Sequence, residues 1–238
     1  MLTTLLGGGA SFRQILLELL ITVPIVLISL TFHEYAHGWV SYKCGDPTAR
    51  NLGRLTLNPI KHIDPVGALS MLLFGFGWAK PVPVNSRYYR HPKWQMALVA
   101  AAGPITNLIL AFVALLISNL IVLIPGFTDA VLTIYEGSAD LKGSIAYIAY
   151  MFFWLLAEMN VYLAVFNLIP LPPLDGSRIL FIFLPTRWYF TIMKYERYIQ
   201  IILILLLVTD AISLPLTWIS GRIIVGMEWL ITRIPIFG

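Results

Sequence analysis

The sequence predicts an all-α polytopic membrane protein with about five or six transmembrane helices and a small β-hairpin or sheet near the cytoplasmic membrane face. Two observations predict this class. Of the 238 residues, 58% are hydrophobic and 12% are charged, about half the charged fraction of roughly 25% found in soluble domains. The apolar residues also lie in long runs, and a spanning helix needs roughly 20 of them. This composition argues against a soluble globule, a disordered chain and a nucleic-acid-binding protein.

Four apolar stretches are strong enough to span a bilayer, and a fifth is weaker. In chain order they are Ile15–Val40, Trp94–Ile124, Ile145–Asn167, Ile199–Leu214 and the weaker Ile219–Ile231. The first ten residues contain no Lys or Arg, so the basic start of a signal peptide is missing and we expect this terminus to be retained. The glycine-rich run 66–78 is too short for a normal span. We expect it to dip into the membrane and return, or to lie bent within the protein.

Charge asymmetry orients these spans. Residues 43–93 hold eight basic and two acidic side chains, residues 125–144 hold one basic and three acidic, and residues 178–197 hold four basic and one acidic. By the positive-inside rule, the first and third regions are cytoplasmic and the second is outside. We therefore expect a multi-pass protein in a cellular membrane, most simply a prokaryotic plasma membrane. The basic face suits anionic lipid and does not indicate nucleic acid.

Two segments of the basic region are not helical in pattern. Residues 52–58 alternate between apolar and polar side chains, and residues 79–85 contain two prolines, which are excluded from a helix interior but tolerated in an edge strand. Together they predict the small sheet. No linker or internal repeat is visible, so we expect residues 1–238 to form one integral-membrane domain.

The first long helix carries the strongest chemical signal, the sequence His33-Glu34-Tyr35-Ala36-His37. Residues four apart share a helix face, so two imidazoles can bind one zinc ion while the adjacent glutamate reaches a water molecule. A purely structural polar cluster is the alternative, but such groups inside a span are costly and are usually functional. Counted from Ile15, His33 lies about 27 Å along the helix at about 1.5 Å per residue. This depth is near the cytoplasmic surface, where water can arrive.

A catalytic zinc usually has three protein ligands and one open position. Asp175, in the segment FNLIPLPPLDGSRIL, is the best candidate for the third ligand because the third span also ends at the cytoplasmic side. The prolines of this segment break the helix, which is tolerated at membrane depth only inside protein or beside a wet cavity. The alternative role for Asp175 is an N-cap of the helix that follows, and the two roles are partly compatible.

These two motifs together resemble the site-2 protease family of intramembrane zinc metalloproteases. The pairing of HEYAH with Asn167-x-x-Pro170-x-x-Pro173-Leu174-Asp175-Gly176 carries the resemblance, which covers about residues 30–185. Further segments, NPIKHIDPVG, FGWAKPVPVN and AAGPITN, are similar to the small bacterial and archaeal members, and no stretch remains for a PDZ or CBS domain.

The resemblance implies a site and an activity. His33, His37 and Asp175 would bind one Zn²⁺ per chain, Glu34 would be the general base, and Asn167 would help to hold the substrate or the oxyanion. The implied reaction is hydrolysis of peptide bonds within or next to transmembrane helices of protein substrates in the lipid bilayer. The predicted strands could bind the unwound substrate by strand addition.

Two other classes of function stay open at this point. Broken helices and inward-facing carboxylates also mark ion-coupled transporters and channels, and a catalytically inactive homologue could bind membrane helices without cutting them. The role of Glu158, in the middle of the third span, is equally open between lining a cavity and packing in neutral form. The sequence does not reveal the natural substrate, the activating signal or the oligomeric state.

Overall fold

The computed structural model describes residues 12–74, 77–135, 141–209 and 211–237, and in these ranges the protein is helical throughout, without a β-strand. The α-helices in chain order are α1 (Phe12–Lys43), α2 (Thr48–Asn51), α3 (Pro65–Phe74), α4 (Pro92–Val122), α5 (Phe127–Tyr135), α6 (Leu141–Asn167), α7 (Asp175–Leu180), α8 (Thr186–Lys194), α9 (Glu196–Val208) and α10 (Ser213–Ile231). Short 3₁₀ helices form at Pro59–His62 and Ser86–Tyr88. The N-terminus that we expect to be retained lies largely outside the described residues.

Four helices in the described part of the chain are long and apolar enough to cross a membrane, so this is a membrane protein. They cover Leu16–Lys43, Pro92–Val122, Gly143–Asn167 and Ser213–Ile231. The first three correspond to the first three predicted spans. The fourth contains the stretch that the sequence marked as weaker.

The predicted span Ile199–Leu214 is not one helix. α9 ends at Val208 and α10 begins at Ser213, and residue 210 lies outside the described part. The 13 residues of α9 extend about 20 Å at about 1.5 Å each, which is short of a hydrocarbon layer about 30 Å thick. The apolar composition of the stretch was therefore a poor guide to the length of its helix.

The short run 66–78 contains a short helix and a return of the chain, which is compatible with both of the forms we expected. α3 has 10 residues, and residues 75 and 76 lie outside the described part. A Cβ atom added to Gly67 would lie 2.2 Å from the carbonyl oxygen of Trp78. The chain after α3 therefore returns against the start of that helix, and a glycine makes the close approach possible.

The predicted sheet is wrong over 52–58. This segment follows α2 in turn and bend conformations, and Gly53 has a φ of +63°, which a strand cannot contain. Apolar and polar side chains alternate in this segment as they would in a strand, but the positive φ of Gly53 turns the backbone.

The second predicted strand, 79–85, is extended but has no ladder. One isolated antiparallel bridge joins Ile63 to Ala79. Pro81 and Pro83 have no N–H group to donate, so a regular ladder cannot form across them. The segment is extended for another reason, which is its attachment to α1 described below.

The chain divides into two compact units, each described here by itself. The first contains Met1–Thr106 and Asn167–Leu203, and the second contains Asn107–Phe166 and Ile204–Gly238. All five predicted site residues lie in the first unit.

Interhelical amide contacts hold the second unit together. Asn107 donates to Asn160 at 2.6 Å, and both side chains are fully buried. Asn119 of α4 donates to both carboxylate oxygens of Glu228 of α10, at 3.1 and 3.2 Å. In an apolar environment such hydrogen bonds join helices that hydrophobic burial alone does not.

Candidate metal centre

The two histidines of α1 face each other one turn apart. Their Nε2 atoms are 3.0 Å apart, and the rings meet edge to face. His33 is 5% exposed and His37 is 9% exposed. The i, i+4 spacing has therefore produced the shared helix face that the sequence predicted.

Asp175, the first residue of α7, completes the group. Its Oδ2 atom is 3.2 Å from Nε2 of His33 and 3.2 Å from Nε2 of His37. Among the described residues, these three form the group of potential metal ligands that converges on one point. The structure thus brings together side chains that are far apart in the sequence.

The donor set fits a zinc ion. Four ligands about 2.0–2.1 Å from zinc at tetrahedral angles lie about 3.3–3.4 Å from one another, close to the 3.0–3.2 Å observed here. Oδ2 of Asp175 is buried, and its polar neighbours are the two imidazole nitrogens; a cation shared by the three groups would offset the cost of burying the carboxylate. Two imidazoles and one carboxylate leave a fourth position for water or substrate, as in catalytic zinc sites.

The carboxyl group of Asp175 is held in the form that binds metal. Burial by itself opposes its ionisation, but the neighbouring imidazoles of His33 and His37 lower the pKa of Asp175 well below its ordinary value. The aspartate is therefore a carboxylate at neutral pH. It is the first residue inside α7, whose N-cap is Leu174, so the alternative N-cap role is wrong.

A hydrogen bond at Nδ1, on the side of the ring away from the metal centre, fixes the orientation of His37. Its Nδ1 atom is 2.7 Å from the carbonyl oxygen of Val99 in α4. A carbonyl only accepts hydrogen bonds, so Nδ1 carries a proton, and Nε2, which lies beside His33 and Asp175, is the ring atom that can bind a metal ion. Such a partner on the far side of a ligating imidazole fixes its tautomer.

α4 approaches the two histidines through Gly103. A Cβ atom at this position would lie 2.5 Å from Cε1 of His33, 2.6 Å from Nε2 of His37 and 2.7 Å from Nε2 of His33. The close contact of α4 with the two histidines therefore depends on Gly103. Its role at the site was missed, although glycine directly before proline in an apolar helix was the available signal.

Glu34 is attached to the extended segment 79–85. Its Oε2 atom accepts a hydrogen bond from the backbone N–H of Val82 at 2.7 Å. Gly38, one turn further along α1, permits the approach, because a Cβ there would lie 3.1 Å from the Val82 side chain. This contact holds the carboxylate beside the histidines and keeps the segment extended without a strand partner.

Asp46 anchors the far end of the same segment. This fully buried carboxylate accepts hydrogen bonds from the N–H of Asn85 at 2.7 Å, the hydroxyl of Ser41 at 2.8 Å and the N–H of Thr48 at 2.9 Å. Burial opposes its ionisation, but the donors lower the pKa of Asp46 below its ordinary value. We did not single out Asp46 from the sequence, because a carboxylate in a turn after a helix usually faces water.

Asn167 is the last residue of α6, and the chain that follows it runs through the proline segment to Asp175 at the start of α7. A Cβ atom at Gly176 would lie 2.2 Å from the carbonyl oxygen of Leu168. The residue after Asn167 is therefore packed against the residue after Asp175. The Asn167 side chain is partly exposed.

Two further polar residues are not members of this group. His62 is buried at the end of the 3₁₀ helix Pro59–His62, and its Nε2 atom is 2.8 Å from the carbonyl oxygen of Thr56. Glu158 is exposed on α6, so it is not a packed interior side chain of the second unit.

Comparison with known proteins was made for the whole chain. The family model described as peptidase family M50 matches residues 21–209. No solved structure matches the chain.

Curated relatives agree with the family match. The Bacillus subtilis protein YwhC, named as a candidate zinc metalloprotease, is 42% identical over 187 residues, covering 79% of this chain and 80% of the relative. Rip2 of Mycolicibacterium smegmatis, named in the same way, is 28% identical over 79% of this chain and 66% of its own length. Rip2 of Mycobacterium tuberculosis is 28% identical over 63% of this chain and 52% of its own length.

Proposed function

Since this chain belongs to peptidase family M50 and is a membrane-embedded zinc metalloprotease, we propose that it hydrolyses peptide bonds within or next to transmembrane helices of protein substrates. The observation that carries this proposal is the convergence of His33, His37 and Asp175, whose ligand atoms are 3.0–3.2 Å apart. The two histidines lie on α1, which is apolar enough to span the membrane. A protease site on such a helix is suited to substrates that share the bilayer.

His33, His37 and Asp175 would hold the zinc ion, one per chain. When bound, zinc supplies a Lewis acid that polarises the substrate carbonyl and makes water more acidic. Val99 and Gly103 serve this arrangement from α4, the first by orienting His37 and the second by leaving room beside both rings.

Glu34 is proposed as the general base. Its carboxylate takes a proton from the attacking water as the oxygen of that water bonds to the peptide carbonyl carbon, and it then gives the proton to the nitrogen as the C–N bond breaks. The hydrogen bond from Val82 holds one carboxylate oxygen in place, so little reorganisation is needed during the transfer.

Asn167 is proposed to donate a side-chain N–H to the substrate carbonyl. A preorganised donor of this kind stabilises the negative charge that develops on the oxygen. The packing of Leu168 against Gly176 supports this role, because it connects the end of α6 to the start of α7 at the residue beside Asp175.

The membrane arrangement is part of the same proposal. The excess of basic residues in 43–93 and 178–197 supports a multi-pass chain in a prokaryotic plasma membrane with the site toward the cytoplasm. The family match over residues 21–209 runs through both compact units, which supports a single proteolytic domain. Neither of the two segments expected to bind unwound substrate forms a strand. In 79–85 the N–H groups of Val82 and Asn85 are already bonded to Glu34 and Asp46, so strand addition is not part of the proposal.

The experiment is a cleavage assay in liposomes that contain a single-pass reporter protein. Glu34→Gln should abolish cleavage while leaving zinc content unchanged, because the amide cannot accept the proton. Glu18→Gln is the matched control, since it makes the same change at an exposed position of α1, and it should cleave as the unaltered protein does. Equal cleavage by Glu34→Gln and the unaltered protein would contradict the proposal.

A further inference from the structure

A cavity of about 340 Å³ lies in the first compact unit. Its walls come from the start of α4, the loop before it, the proline segment, α7, and the α8–α9 corner. The residues that line it are Val84, Ser86, Pro92, Lys93, Met96, Pro172, Pro173, Ser177, Arg178, Phe181, Met193 and Glu196. This volume is at the lower end of the range of roughly 300–1,000 Å³ typical of ligand sites.

Two chain connections place this cavity next to the candidate metal centre. Val84 lies two residues beyond Val82, which bonds to Glu34, and two extended residues cover about 7 Å. Ser177 lies two residues beyond Asp175 in α7, a rise of about 3 Å. Two lining residues, Val84 and Ser177, are therefore each two positions along the chain from a residue that belongs to the centre or bonds to Glu34.

The walls of the cavity are suited to an apolar side chain. Met96 of α4, Met193 of α8 and Phe181, the residue after α7, supply large apolar surfaces, and methionine adapts to ligands of different shape. Pro172 and Pro173 add a conformationally stiff part of the lining. The cavity can thus select for size without a rigid outline.

Charge is added by Lys93 and Arg178, which are both exposed. The ion pairs within 4.0 Å in the described part of the chain both involve Asp175 and a histidine, so neither cation is neutralised by Glu196 across the cavity. The recorded polar contact of Arg178 is a weak one, from Nη1 to Sδ of Met96 at 3.9 Å. Two cations and one carboxylate leave the cavity with a net positive charge.

We infer that this cavity is a specificity subsite for the substrate polypeptide, which receives a residue about two positions from the bond that is cut and prefers an acidic side chain there or directly beside it. The preference arises because no carboxylate of the described residues lies within 4.0 Å of Lys93 or Arg178, while the apolar walls hold the rest of the substrate segment. This inference rests on the proposed function and adds a substrate preference to it.

The test uses one single-pass reporter whose cleavage position is first mapped by mass spectrometry. Each of the three residues on either side of that position is changed in turn to Asp, Lys, Leu and Ala, and kcat/KM is measured in liposomes. The unaltered protease should favour Asp over Lys at one of these positions by roughly five- to twenty-fold, as expected for one or two partly exposed ion pairs. Arg178→Glu should reverse that preference at the same position and leave the others unchanged.

Lys194→Glu is the matched control, since Lys194 is an exposed cation of α8 outside the cavity lining, and it should keep the original preference. Met193→Trp is a second test, and it does not change the charge of the cavity. The larger side chain leaves less room in the cavity, so the preferred substrate residue at the same position should shift toward Ala. Glu34-dependent cleavage with the same preference in Arg178→Glu as in the unaltered protease would overturn the subsite alone. Absence of Glu34-dependent cleavage of any reporter would overturn the proposed function, and the subsite with it.

Discussion

Substitution of Gly103 by alanine tests whether the close approach of α4 shapes the metal centre. The added methyl carbon would lie 2.5–2.7 Å from ring atoms of His33 and His37. Ordinary van der Waals contact begins near 3.4 Å, so the helix and the rings must separate by about 0.7–0.9 Å. Zinc sites tolerate ligand displacements of only about 0.2 Å, so we expect at least one ligand to be lost.

The predicted consequence is a loss of zinc without a loss of fold. Alanine is favoured over glycine within a helix by about 1 kcal/mol, so α4 itself should not be weakened. Zinc content should fall from one per chain to below roughly a tenth, and reporter cleavage by about 100-fold or more, since a 1 Å misplacement has been sufficient for such losses in other enzymes.

The assay combines zinc analysis, thermal unfolding and reporter cleavage of detergent-purified protein. Gly226→Ala is the matched control, because an added Cβ there meets nothing within 4 Å and should leave all three measurements unchanged. Full zinc content and full activity in Gly103→Ala would refute the close-packing explanation, since the histidines would then have room that the structure does not give them.

Two further substitutions test the support of the catalytic base. Val82→Pro removes the N–H that donates to Glu34, so kcat should fall roughly 10- to 100-fold while the zinc content stays unchanged. This range is expected for a hydrogen bond to a charged group worth about 1.5–3 kcal/mol. Val82→Ala keeps the N–H, and equal kcat in the two variants would contradict the role of this hydrogen bond. Asp46→Asn should lower the free energy of unfolding by about 2 kcal/mol at pH 7. Because the folded pKa of Asp46 is depressed, its contribution is complete above the unfolded pKa of about 3.9 and is lost as pH falls through the folded value. Thermal unfolding should therefore separate the two proteins at pH 7, and the gap should narrow as the pH falls below the unfolded value of about 3.9; a gap that is independent of pH would contradict this linkage.

The spans were predictable from sequence because bilayer thickness sets a simple length requirement. Four of the five predicted stretches match helices of sufficient length, the weaker one included. Ile199–Leu214 does not, because α9 ends at Val208, directly before Thr209 and Asp210, and the apolar composition of the whole stretch does not show this break. The error at 52–58 has a similar origin, since side-chain alternation does not reveal the positive φ of Gly53.

The side chains of the candidate metal centre were also predictable, because their chemistry is local and specific. His33 and His37 are paired by helix geometry, and Asp175 was placed at the same membrane depth by the order of the spans. The partners that act through the backbone were not predictable. The N–H of Val82 and the carbonyl of Val99 leave no trace in side-chain identity, since any residue except proline in the first case supplies the same group.

Zinc K-edge X-ray absorption of the purified protein is the most direct test of the central claim that His33, His37 and Asp175 hold the metal. We predict two imidazole nitrogens at about 2.0–2.1 Å and a carboxylate oxygen at about 2.0–2.2 Å from the zinc ion. Zinc that still binds to His33→Ala should have one imidazole fewer, and zinc that still binds to Asp175→Ala should lack the carboxylate. A spectrum with sulfur in the coordination shell, or one that is unchanged in both variants, would contradict the claim.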